Sequence, residues 1–317
     1  MKRYNQILAG VLAVQIILSV VVFWPKSLAA VESELAFPDL EAGGIVALTI
    51  TDGDGNSITL RQVGGSWVLP SADDYPAQAD KITPLLAKIA GLTTDRLVTR
   101  TDTSHRRLQV AEDDFVRRVD LETADGTQHT FYLGSSPSYG ATHFRLDGQD
   151  ETYLTEDMTT WETDAAASAW VDTVYLQVNQ DDVTKMTLEN ESGTFTFTKD
   201  AAGNWTMVGL PVGETLNEEA VTTLLQRATT VNLQAPLGKE ERVEYGMDAP
   251  LAVVTLTTGE EEITLRVGAQ DPSDNSYVVI SSQSPYYARV AEFAVAHMVN
   301  DARDDFIQSP PTPTPEG

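Results

Sequence analysis

The chain has 317 residues, 42% apolar and 21% charged, enough to bury the cores of about two ordinary domains, which excludes wholesale disorder. Its 47 acids against 21 bases give a net charge of −26, a field that repels phosphate backbones and argues against nucleic-acid partners. Without cysteine there are no disulfides, thiolate metal sites or cysteine nucleophiles.

Three bases (Lys2, Arg3, Lys26) and no acid lie in the first 31 residues. An apolar run from Ile7 to Trp24, broken only by Gln15, follows Lys2 and Arg3. At 1.5 Å per residue it spans about 27 Å, close to the ~30 Å hydrocarbon core of a bilayer. Basic residues before it and the acidic "VESELAFPDLE" after it predict a single-pass anchor, N-terminus cytoplasmic and the bulk extracytoplasmic. A cleaved signal peptide is the competing reading, since "SLAA" at 27–30 offers small residues for cleavage, but the apolar run is longer than a signal core. Either way the remainder is exported.

From residue 44, Val46, Leu48 and Ile50 alternate as in a strand, and Ile58 and Leu60 resume the pattern after "DGDGN". That turn resembles a calcium-loop opening, Asp52-x-Asp54-x-Asn56. Ser57 stands where such a loop needs Gly, however, and Val63 where it needs a bidentate Glu, so a hairpin turn is expected. "GGSWVLP" (64–70) carries Trp67. "ADKITPLLAKIAGL" then places Ile82, Leu85, Leu86 and Ile89 on one helical stripe, with Asp80 as the expected cap and Pro84 near the start. A basic, polar stretch precedes two hairpins, turning at Asp125-Gly126 and Asp147-Gly148, and "MTTWETDAAASAW" reads as a short closing helix.

The second half follows the same order. "VTKMTLENESGTFTFTKDAAGNWTMV" gives a hairpin and a strand bearing Trp205, and "NEEAVTTLLQRATTV" a helix capped by Asn217 with Val221, Leu224, Leu225 and Ala228 inward. "LAVVTLTTGEEEITLRVGAQDPS" aligns with "RRVDLETADGTQHTFYLGSSPS", pairing Gly134 with Gly268. Tyr153 likewise aligns with Tyr287, Leu86 with Leu225 and Trp67 with Trp205. The expectation is an α+β class: two tandem repeats of antiparallel hairpins, each with one main amphipathic helix packed on its sheet, behind an N-terminal transmembrane helix. The boundaries follow as anchor 1–30, linker 31–43, modules 44–175 and 176–308, and a proline-rich disordered tail 309–317. Trp67, Leu85 and Leu86 in one module, and Trp205, Leu224 and Leu225 in the other, are the expected core.

The tryptophan strand "GSWVLP", the "A-x-x-A-D-K" approach to the helix, the run from "LQVAEDDF" to "ETYLT" and "VEYGMDAPLAVVTLTTGEEEITLRVG" together resemble the DUF4340 family, bacterial membrane-anchored proteins named for a domain of unknown function. The phrase Tyr245-Gly246-Met247-Asp248-Ala249-Pro250 carries most of the likeness; the first half has "VAEDDF" in that slot, which points to a different turn there. The resemblance spans about 44–308 and carries no catalytic signature. It implies an extracytoplasmic accessory role, since some members look associated with ABC-type transport or gliding-motility complexes.

Catalytic chemistry is not signalled. The four histidines (His105, His129, His143, His297) have no ligand spacing, and there is no nucleophile elbow, P-loop or dinucleotide fingerprint. The acidic runs at 112–114, 260–262 and 304–305 read as solvated. No catalytic, cofactor or metal residue is therefore nominated. Two loops, "LGSSPSYGATHF" (133–144) and "VGAQDPSDNSYV" (267–278), each leave a strand through Gly and pass a Pro-Ser pair. They nominate Gly134, Pro137, Ser138, Tyr139, His143, Gly268, Pro272, Ser273 and Tyr277 as a candidate binding surface, against the plainer reading that Gly and Pro only shape the connections. The expected function is a non-enzymatic interaction or scaffold protein, anchored in the membrane from Ile7 to Trp24 and joined to a protein partner in a transport or envelope complex. A small-ligand or envelope-glycan module with a cleft between the repeats is the alternative.

Overall fold

The computed structural model describes residues 34–308 apart from 260, together with Gln15. The expected anchor (Gln15 excepted) and the proline-rich tail lie outside the described residues. Among those described, no helix is long and apolar enough to cross a membrane.

The first half opens with β1 (Ile45–Asp52), β2 (Ser57–Val63), β3 (Ser66–Leu69) and β4 (Tyr75–Pro76). Helix α1 (Ala79–Ala90), β5 (Leu97–Thr99), the one-turn α2 (His105–Leu108) and a small hairpin, β6 (Val110–Ala111) with β7 (Asp114–Phe115), follow. β8 (Arg117–Thr123), β9 (Gln128–Leu133), β10 (Thr142–Leu146) and β11 (Thr152–Thr155) complete it. The second half contains β12 (Val174–Gln177), β13 (Val183–Asn190), β14 (Gly193–Lys199) and β15 (Trp205–Met207), then α3 (Glu218–Thr229) and β16 (Thr230–Gly238). It ends with β17 (Ala252–Thr258), β18 (Glu261–Gln270), β19 (Tyr277–Ser281), β20 (Tyr287–Val290) and α4 (Glu292–Asn300).

These strands form two nine-stranded antiparallel sheets, in the orders β4-β3-β2-β1-β8-β9-β10-β11-β5 and β12-β16-β20-β19-β18-β17-β13-β14-β15. Alternation along each strand puts one face inward: Leu48 and Ile50 of β1 are fully buried, as are Val254 of β17 and Val267 of β18, and Ile45 joins them across a register shift between Ile45 and Ala47. Between β1 and β2 the Asp52 carboxylate accepts hydrogen bonds from the backbone N–H of Asp54 (3.0 Å) and Asn56 (2.8 Å).

Helix α1 forms because its apolar residues recur three and four apart, and Ile82, Leu85, Leu86 and Ile89 all point into the core. Each such side chain contributes about 1.5–3 kcal/mol by leaving water. Its N-cap is Gln78, which makes no side-chain cap bond; Asp80, the expected cap, lies in the first turn. In α3 the cap is Asn217, whose side chain accepts from the N–H of Ala220. One contiguous apolar core runs through both sheets, from Phe37 to Phe306.

The α+β expectation, two hairpin repeats each under one main helix, is overturned; the transmembrane helix expected ahead of them falls outside the described residues. The protein is mostly β, with twenty strands against four α-helices of 12, 4, 12 and 9 residues among the described residues. The helix-on-sheet repeat fails because the sheets recruit segments with weak local signal. β5 comes from the polar stretch before α2. β16 incorporates Pro236 beyond its pairing with β12, which ends at Asn232, so that Pro236 has a strand partner only in β20, next to a register shift between Pro236 and Gly238. The covering also differs: α4 packs beside α3 over the second sheet, whereas "MTTWETDAAASAW" forms two 3-10 turns, Thr160–Glu162 and Ala167–Ala169, in place of the expected closing helix. There Asp164 draws the backbone away from a helix: its side chain accepts from the N–H of Ala166 (2.9 Å) and its carbonyl from Nε1 of Trp170 (2.8 Å). Gln109 takes the left-handed conformation (φ 55°) that Gly246 takes (φ 68°), but "VAEDDF" after it closes into the β6–β7 hairpin, which the Tyr245–Pro250 phrase does not form.

Candidate functional site

The two nominated loops lie on different sheets, and no hydrogen bond or ion pair joins them among the described residues. Gly134 ends β9 where the chain passes under α2; a Cβ there would stand 2.1 Å from the carbonyl oxygen of Leu108. Gly268 meets the carbonyl of Tyr245 at 2.0 Å by the same construction. Both glycines are required by close backbone approach. Tyr139 is wholly exposed, with Pro137 and Ser138 exposed beside it, but His143 is buried and its Nδ1 faces the carbonyl of Ser135 at 2.7 Å.

In the second loop Tyr277 is 5% exposed, part of the core, and burial pushes its hydroxyl above the usual tyrosine range. Pro272 and Ser273 stay at the surface, where the Ser273 hydroxyl donates to Asp271 (2.6 Å). This bond, the Ser273 N–H and the Arg289 guanidinium (2.8 Å) hold the Asp271 carboxyl below its usual range. The loop is a self-satisfied turn with its polar groups already engaged. Of the nominated core residues, Trp67, Leu85, Leu86, Leu224 and Leu225 are buried, and Trp205 is half-buried with the Lys199 ammonium 5.3 Å from its ring centroid. No group of three His, Asp or Glu side chains among the described residues is placed to hold a metal.

A different feature stands out. Trp161 is 88% exposed, on the 3-10 turn Thr160–Glu162 beside α1. The turn is fixed at both ends. The Glu162 carboxylate accepts from the backbone N–H of Thr159 (3.0 Å) and pairs with the Lys88 ammonium at the end of α1. Burial pushes the Glu162 carboxyl up, but the Lys88 and Thr159 hydrogen bonds outweigh it and hold it below the usual glutamate range.

Next to Trp161 lies a groove of about 310 Å³ between α1 and the 161–170 connection. Pro84, Leu85 and Trp170 give it an apolar floor, and Asp80, Lys81 and Asp164 a polar edge. The Lys81 ammonium donates to the carbonyl of Ala169 (3.0 Å) and the Gln78 N–H to the carbonyl of Trp170 (2.7 Å), so both walls are tied together. Sequence reading missed this site because Trp161 lay in an assumed helix, where nothing separates an inward from an outward tryptophan. The only signal was a second tryptophan nine residues before Trp170, with no apolar period between them.

A family model described as "Domain of unknown function (DUF4340)" matches residues 67–250, more than half of the chain. The chain belongs to the DUF4340 family. The match runs from Trp67 within β3 through α1 and the Trp161 groove to residue 250, just before β17, so in this DUF4340 protein the groove falls within the family domain. No curated protein and no solved structure matches the chain.

Proposed function

We propose that this DUF4340 protein is a non-enzymatic docking protein, held at the outer face of a membrane and serving as an accessory part of a transport or envelope complex. The exposure of Trp161 carries the reading. A tryptophan left almost wholly in water gains nothing for the fold, and a rigid aromatic beside an apolar groove is the kind of anchor that dominates protein–protein contacts. The Glu162–Lys88–Thr159 contacts hold the turn that presents it, which lowers the ordering cost of binding. The membrane attachment rests on the apolar run from Ile7 to Trp24.

The test is mild-detergent extraction of the full-length protein from its native membrane, comparing wild type with Trp161→Ala. A stoichiometric membrane partner should accompany the wild type and be lost from the variant while thermal stability is unchanged. Equal recovery with both would refute docking through this groove. An envelope-glycan ligand is the second reading, favoured by Asp80, Lys81 and Asp164 lying beside the exposed indole, where sugar hydroxyls would find donors and acceptors. Quenching or a shift of Trp161 fluorescence by envelope oligosaccharides, absent with protein partners, would select it.

A further inference from the structure

On the first sheet, away from the Trp161 groove, an open cleft of about 710 Å³ lies between α2 with its preceding turn, the β6–β7 hairpin and the β10–β11 turn. Arg145 of β10 lines it although only 3% exposed. Its guanidinium has no carboxylate within ion-pair distance among the described residues. Nε donates to the carbonyl of Val110 (2.7 Å), Nη1 to those of Leu146 (3.3 Å) and Gln149 (3.1 Å), and the Tyr132 ring lies 4.6 Å from its central carbon. Nη2 makes no hydrogen bond among the described residues. A buried cation with donors unspent, lining an open cleft, calls for an oxygen anion.

The rim asks for the opposite charge. Asp102, Glu112 and Asp150 line the cleft with no basic partner within ion-pair distance among the described residues, while Asp113 is neutralised by Arg106. His105, 9% exposed, donates from Nε2 to the carbonyl of Asp150 (2.9 Å). A simple anion is repelled by the rim, and a simple cation by Arg145. What satisfies both is a molecule with one carboxylate and several ammonium groups, and the volume suits a few residues of peptide.

We propose that this cleft binds the free carboxyl end of a short cationic peptide, the terminal carboxylate on Nη2 of Arg145 and the ammonium groups on Asp102, Glu112 and Asp150. Isothermal titration of the full-length protein in detergent with Lys-Lys-Lys, its C-terminal amide and Glu-Glu-Glu tests it. Trilysine should bind at one site, the amide about tenfold more weakly, and triglutamate not at all. Amidation raises the peptide's positive charge, so attraction to an acidic surface alone predicts the reverse order. Tighter or equal binding of the amide, or no binding of trilysine, overturns the proposal. Arg145→Met should erase the acid-to-amide difference. Because that variant removes buried hydrogen bonds and can fail to fold, Glu112→Gln at the rim serves beside it: it should weaken acid and amide alike, and an unchanged affinity there also counts against the site.

Discussion

Across 166 residues of chain, the Asp73 carboxylate accepts a hydrogen bond from the backbone N–H of Lys239 at 2.6 Å. Asp73 sits just before the edge strand of one sheet and Lys239 just after β16 of the other, so the contact clasps the two sheets. Asp73 holds a left-handed backbone (φ 52°), and Gly238 approaches so closely that a Cβ there would lie 2.5 Å from the Asp73 carboxylate. The ring of Tyr286 adds to the junction, 4.7 Å from that of Tyr75 and 4.7 Å from the Lys239 ammonium.

Cutting this clasp should separate backbone from side-chain effects. Asp73→Gly keeps the left-handed turn and loses only the hydrogen bond, at about 1 kcal/mol; Asp73→Ala adds the strain of positive φ and should cost about 1–2 kcal/mol more. Urea melts that rank the two variants equally would show that the backbone conformation contributes nothing.

Gly134 and Gly268 should be the least replaceable glycines. A methyl group at Gly134 or Gly268 would stand 2.1 or 2.0 Å from a backbone carbonyl oxygen, well inside van der Waals contact, and we expect about 2–4 kcal/mol of destabilisation from each alanine substitution. Gly43, where a Cβ meets nothing within 4 Å and φ is not positive, should tolerate alanine with no loss. Thermal denaturation of the three variants checks this, and similar melting for all three would remove the close-approach account.

The Trp161 turn should weaken in acid. Glu162 has a folded pKa below its unfolded value of about 4.3, so its contribution is fully present above that value and disappears as pH falls through the lower folded value. The pair with Lys88 is more than a third exposed, so solvent screening limits the effect to under about 1 kcal/mol. Glu162→Gln should melt below wild type at pH 7 and alongside it at pH 3. A gap of constant size across that range would contradict the assignment.

At alkaline pH, Tyr132 and Tyr175 should ionise last, both pushed up to about 12. Burial is the main cause for each, and Tyr132 also donates to the Asp147 carboxylate at 3.1 Å, whose charge opposes a phenolate. With folded values above the ordinary ~10, their contribution to stability is complete below pH 10 and is lost as pH rises through about 12. Ultraviolet titration should show the late phase reduced in Tyr132→Phe and in Tyr175→Phe, and brought to lower pH by Asp147→Asn. A late phase untouched by all three would place it elsewhere.

Local chemistry was enough for several elements. The stripe of Ile82, Leu85, Leu86 and Ile89 dictates α1, Asn217 begins α3, and Asp52 with Asn56 closes the first hairpin, because each depends on residues a few positions apart. The family likeness was legible for the same reason, being carried by contiguous phrases of sequence. What tertiary structure alone decided is which strands meet and which side chains face water. Leu97–Thr99 has too few residues to declare a strand until β11 offers an edge, and Pro236 enters β16 where β12 no longer pairs with it and the register with β20 shifts. Tyr139 and Tyr277 stand in loops of similar wording, yet one is bare and the other buried, since exposure depends on neighbours brought in from distant chain. The same holds for Trp161, left outside while Trp170 is taken in, and for Arg145, which lies in a strand and meets the carbonyl of Val110 from 35 residues away. Periodicity records a residue's local geometry; burial, orphaned donors and grooves arise from pairings that close long loops, and those belong to the folded chain.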